Sequence, residues 1–147
     1  MTRLSLALAA LLLAAPAGAG SPEEVREAYL AFAADQNRRD TARIGRHFIE
    51  GPELLWVSDG KSYWGAESIL ARMGSFQKAE IWRVEPEIDA ARIVELDPTT
   101  ALLHMPLTLV IGAAAKPDRL RFLVSLLFVR QEADWKIAAL LTTAEKP

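Results

Sequence analysis

The 147-residue sequence has no cysteine, only two histidines and no surplus of basic residues. Without cysteine there are no disulfides, thiolate metal sites, cysteine nucleophiles or lipid-modified thiols. Lys and Arg number 17 against 19 Asp and Glu, a net charge of −2 that offers no basic surface to a phosphate backbone. Two isolated histidines, His47 and His104, lack the spacing of a metal site, and no metal or cofactor is predicted. The eight glycines are scattered, so neither a phosphate-cradling loop nor a GxSxG nucleophile elbow exists. A hydrophobic share of 51% with 24% charged residues excludes a disordered tail.

Only one apolar run is long. Arg3 precedes a stretch from Leu4 to Ala15 that is apolar but for Ser5, followed by the small residues Ala17, Gly18 and Ala19. This is the layout of a secretory signal peptide spanning 1–19, too short to cross a bilayer as a helix. Cleavage after Ala19 removes one Arg and no acid, shifting the net charge from −2 to −3. No second apolar segment carries stop-transfer flanks. The sequence therefore predicts a single domain over 20–147, free of the membrane, in the periplasm or outside the cell.

Ser21-Pro22-Glu23-Glu24 opens a helix, with Ser as cap and Pro at the first helical position. Val25, Ala28, Tyr29, Phe32 and Gln36 form its apolar face, with Glu27, Asp35 and Arg38 opposite. Asp40 caps a shorter helix bearing Ile44, His47 and Phe48, which Gly51-Pro52 ends. Leu54 to Asp59 is strand-like, Gly60-Lys61 a turn, and Ala66 to Phe76 a third helix burying Ile69, Leu70, Met73 and Phe76. Beyond Phe76 the period becomes that of strands: 79–87, 91–96, 101–111, 119–130 and 135–141. Helices followed by consecutive hairpins predict an α+β domain with an antiparallel sheet.

The strands at 101–111 and 119–130 are apolar on both faces, whereas a sheet with one wet face alternates more cleanly. The helices cover one face. A second copy of the chain is the simplest cover for the other, so a homodimer through the sheet is predicted.

Three segments resemble the NTF2-like superfamily, in particular its SnoaL-like and DUF4440-type domains and, more distantly, the ketosteroid isomerases. They are YLAFAADQNRRDTARIGRHF (29–48), WVSDG followed by Gly65 and AESIL (56–70), and RFLVSLLFVRQEADWKIAAL (121–140). The resemblance covers about residues 22 to 143. It implies a cone in which three N-terminal helices pack on a curved antiparallel sheet around an apolar cavity. This fold hosts enzymes, carriers and interaction modules alike.

On that resemblance Asp59 occupies the position of the proton-shuttling base, and strand alternation places it with Leu55 and Val57, opposite Trp56 and Ser58. A carboxylate desolvated in an apolar cone would suit proton transfer; equally, an Asp before Gly is an ordinary turn residue. The family's oxyanion tyrosine falls on Phe32, which cannot donate, and Tyr29 lies one turn earlier. The second acid falls near Ser125 or Leu126. With those donors missing, steroid isomerisation is excluded. SnoaL-like relatives often carry His and Ser on the last strand; here the matching face is read as Ala139, Leu141 and Thr143.

Four tryptophans in so short a chain are candidates for a pocket wall or for core. Trp82 and Trp135 suit the core, whereas Tyr63 and Trp64 suit the mouth equally well. The predicted site thus has Asp59 as its one candidate catalytic residue. Tyr29, Phe32, Val57, Tyr63, Trp64, Trp82 and Ser125 are the candidate ligand contacts. The leading function is binding of a small apolar molecule with little or no catalysis. The alternatives are a cofactor-independent proton-transfer enzyme of isomerase, dehydratase or cyclase type using Asp59, and a protein-interaction module with a filled core.

Overall fold

A computed structural model describes residues 21–146. The predicted signal peptide at 1–19 lies outside the described residues. Helix α1 (Pro22–Asn37) starts where the sequence predicts, with the Ser21 hydroxyl accepting the backbone N–H of Glu24. Helix α2 (Thr41–Gly45) is capped by the Asp40 carboxylate, which accepts from the Arg43 N–H at 3.0 Å. Strands β1 (Leu55–Ser58) and β2 (Lys61–Trp64) form a hairpin, and α3 (Ala66–Phe76) follows. The remaining strands are β3 (Ile81–Pro86), β4 (Arg92–Asp97), β5 (Thr100–Gly112), β6 (Asp118–Gln131) and β7 (Asp134–Ala144).

All seven strands form one sheet in the order β2-β1-β7-β6-β5-β3, with β4 also on β5. The pairing is antiparallel except between β1 and β7, which run parallel, so the expected all-antiparallel sheet holds one parallel seam. The thirteen-residue β5 serves two partners along one edge: β4 pairs with its first half and β3 with its second. A short 3₁₀ turn at Ile88–Ala90 carries the chain between them.

The three helices pack on the concave face of this sheet, and side-chain alternation explains why. On β5, Ala101, Leu103, Met105 and Leu107 are buried inward; across from them Val124, Leu126 and Phe128 of β6 do the same. Val25, Tyr29 and Phe32 of α1 close the core from above, joined by Ile44, Ile69 and Met73. Leu70 and Phe76, predicted to be core, are only partly buried against it. No helix among the described residues is long and apolar enough to cross a membrane.

The convex face is divided. At one end Arg83, Glu85, Arg119, Arg121, Glu87 and Glu145 form a ladder of ion pairs, among them Arg119–Glu85 at 2.6 Å and Arg121–Glu87. Val110 lies in register between Arg83 and Arg119, and Thr108 between Glu85 and Arg121; both are buried at the foot of the ladder. At the other end Leu102 and Leu141 remain exposed.

Candidate functional site

The concave side does not close completely. Between α1, α3 and the far halves of β3, β5 and β6 lies a cavity of about 530 Å³, within the range that holds small molecules. Its wall is mainly apolar, with Phe32, Met73, Trp82, Leu107, Leu109 and Phe122 among its residues, and Ser58, Thr142 and Thr143 among the polar ones. Leu103 and Leu126, further along the same strands, are fully buried core, so the cavity opens where helix cover runs out.

Polar groups in the wall are few. Tyr29 is buried beside the cavity, and desolvation pushes its phenol well above its ordinary value, keeping it a proton donor. Phe32 stands edge-on to Tyr29 at 6.2 Å and has no hydroxyl to donate. Gln36 lies one turn further along α1. Trp56 donates its indole N–H to the Thr142 hydroxyl at 3.1 Å, so that donor is satisfied within the wall. Arg72 reaches the cavity from α3, its guanidinium 4.0 Å from the Phe76 ring centre and 5.7 Å from that of Tyr63.

Asp59 is at the rim. It and Gly60 are the two central residues of the β1–β2 hairpin, with φ of 52° and 68°, the positive pair of a type I′ turn. Asp tolerates the left-handed region better than most residues, and Asp-Gly is the preferred sequence for this turn. Asp59 borders the cavity mouth and is exposed there rather than enclosed in the cone.

Of the other predicted contacts, Tyr29, Phe32 and Trp82 line the cavity. Tyr63 sits behind the wall, packed on Trp56 with ring centres 5.6 Å apart. Trp64 is 57% exposed and away from the cavity. Val57 and Ser125 are on the opposite, convex face, in a shallow groove with His104, Leu123 and Leu141. Trp56 and Ser58, expected to face outward, line the cavity instead. The phase of β1 is therefore the reverse of the predicted one. A similar correction applies to β7: a bulge between Leu127/Ala139 and Phe128/Ile137 leaves Ala138 as an extra residue. Past it Leu140 and Thr142 turn inward, and Leu141 turns outward.

The histidines are also placed. His47 hydrogen-bonds Asp35 at 2.9 Å, and Asp35 also pairs with Arg38 at 3.0 Å. The bond to His47, then that to Arg38, hold the Asp35 carboxyl below the usual range despite its desolvation. His104 Nδ1 meets the Ser125 hydroxyl at 2.8 Å on the convex face. No carboxylate among the described residues orients that imidazole, so the pair lacks the third member of a nucleophilic triad. No group of three metal-ligating side chains is found among the described residues.

A three-helix cap on a curved sheet around an apolar cavity defines the NTF2-like cone. Residues 25–140 match the family of SnoaL-like domains, and the chain belongs to that family. No curated protein matches the chain. Among solved structures, one provisionally described as a dehydratase of the NTF2-like family, from Streptomyces avermitilis, aligns with a TM-score of 0.75 at 15% identity, covering 85% of this chain and 96% of that one. An uncharacterised protein with a cystatin-like fold from Caulobacter vibrioides gives 0.72 at 19% identity, with 85% and 89% covered. A provisionally described scytalone dehydratase from Novosphingobium aromaticivorans gives 0.70 at 9% identity, with 84% and 83% covered. At these identities the likeness is one of fold.

Proposed function

We propose that this chain is an exported SnoaL-like domain that binds a small apolar molecule in its cone with little or no turnover. The observation that carries this reading is the cavity itself: about 530 Å³, open at one end and walled by aliphatic and aromatic side chains. A cone filled by its own core, as a pure interaction module would have, leaves no such space. Proton transfer inside the cone lacks a buried carboxylic acid or carboxylate base among the described residues, where the one acid in the wall, Asp59, sits exposed at the tip of a hairpin. Its position at the mouth nevertheless supports the second reading, an isomerase- or dehydratase-type enzyme whose substrate reaches out to the rim.

Export rests on the three-part pattern of residues 1–19 and places the domain in the periplasm or outside the cell. The domain works as a homodimer joined through the convex face, where Leu102 and Leu141 flank the His104–Ser125 pair beyond the ion-pair ladder. Sedimentation would show a dimer, and Leu141→Asp would give a monomer.

The binding test uses the neutral fluorophore N-phenyl-1-naphthylamine. Saturable enhancement at one probe per chain is expected, and Leu109→Trp, which fills the cavity from β5, should remove it without loss of fold. Absence of saturable binding to the unaltered protein overturns the reading.

A further inference from the structure

The cavity wall contains two nitrogen donors with nowhere to bond. Arg72 Nε and Trp82 Nε1 are both shut off from solvent and lack a hydrogen-bond partner among the described residues. Both belong to cavity-lining side chains and share one wall: the Arg72 guanidinium lies 4.0 Å over the Phe76 ring, and Trp82 stacks on Phe76 at 6.0 Å. Buried polar groups are nearly always paired, and a buried charge more so. Both nitrogens lie behind the cavity surface rather than on it; the indole is fixed by its stack on Phe76, so only the flexible Arg72 side chain can bring its donors to the opening.

The charge decides what a ligand there carries. None of the ion pairs among the described residues involves Arg72, although most other arginines take part in one. The aromatic faces of Phe76 and Tyr63 stabilise the cation through their ring quadrupoles, but they offer no acceptor to the N–H groups in the guanidinium plane. The one acid bordering the cavity, Asp59, is exposed and lies beyond ion-pair distance of Arg72. A planar carboxylate is the group that a guanidinium edge matches best, accepting two parallel N–H bonds. A turn of the guanidinium in the plane of its stack on Phe76 would present that edge to the cavity without losing the ring contact.

We propose that Arg72 is an anion-anchoring subsite, and that the cone takes a small apolar carboxylic acid. The carboxylate sits against Arg72, and the hydrocarbon body lies along Phe32, Leu107 and Leu109. The inference rests on the cone being a binding site and narrows its ligand to this class.

Isothermal titration of residues 20–147 with 2-naphthylacetate and with its neutral isostere 2-naphthylacetamide, at pH 7, tests it. The acid should bind about 10- to 100-fold more tightly than the amide, the margin of a charge-assisted pair over a neutral hydrogen bond. In Arg72→Gln the preference should vanish, the acid binding no more tightly than the amide. Arg72→Lys, which keeps the charge but not the fork, should retain a reduced preference and serves if the Gln variant does not fold. Equal binding of acid and amide to the unaltered protein overturns the anion subsite and leaves the apolar cone standing. Binding of neither overturns both.

Discussion

Asp35 shows how a single side chain can join two helices. It belongs to α1 by sequence, yet its carboxylate is held by His47 beyond the end of α2 and by Arg38 on the following turn. The amphipathic pattern of 22–37 assigns Asp35 to the wet face; it is buried because the chain after Asn37 turns back at once and lays His47 against it. Sequence periodicity reports the faces of one helix and not what the next element covers. The Asp35 carboxyl is held low in the folded state, so its stabilisation is fully present above the unfolded value of about 3.9 and is lost as pH falls through the folded value. Asp35→Asn should therefore cost about 2 kcal/mol at pH 7, the scale of a hydrogen bond to a charged group, with the difference shrinking below pH 4. Urea unfolding of both proteins across pH 3–7 checks this; a pH-independent difference would assign the loss to packing. At the cavity rim, Asp59→Asn should leave apolar-probe affinity unchanged within about twofold, because an exposed turn residue contributes little to a buried wall. Asn also suits the left-handed position.

At the scale of elements, the order of the helices and of every strand but β2 was plain in the sequence, because caps, the change of period after Phe76 and the strand lengths all agree. Strand phase was less so. In β1 both faces carry large apolar side chains, Trp56 inward and Leu55 and Val57 elsewhere, so alternation alone could not choose a side. The Asp59-Gly60 dipeptide between LeuTrpValSer and LysSerTyrTrp was a hairpin signature, and weighting it would have made Tyr63 and Trp64 a strand rather than a loop at the mouth. In β7 the bulge at Ala138 was invisible: an inserted residue of average character leaves no mark, yet it reverses every side chain after it. Deleting Ala138 should leave Leu140 and Thr142 in the wall and keep the Trp56–Thr142 bond, because the residues that remain alternate from Ile137 in the observed register. Urea unfolding should show a change of no more than about 1 kcal/mol for the deletion; a loss of about 3 kcal/mol or more, as for a buried leucine turned out of the wall, would refute the register argument.

The whole molecule is a cone in which one stretch of the concave face is packed solid and the next is left open. Full burial of Leu103, Met105, Leu126 and Phe128 anchors the helices, while Leu109 and Phe122, only partly buried, border the open stretch. That separation lets the domain keep an apolar cavity at little cost to its stability. The family resemblance placed the cavity correctly among the helices and sheet. Arg72 was missed, because an arginine on the amphipathic helix 66–76 reads as a solvated residue until Tyr63 and Phe76 are seen to hold it against the cavity.

The central claim is that this cone carries an apolar ligand. Native mass spectrometry of the mature protein purified from its own host, followed by denaturation and analysis of whatever is released, tests it most directly. A small apolar molecule released at one per chain is the predicted result. Protein that comes from its host bare, and that takes up no neutral naphthalene probe when one is supplied, would contradict it.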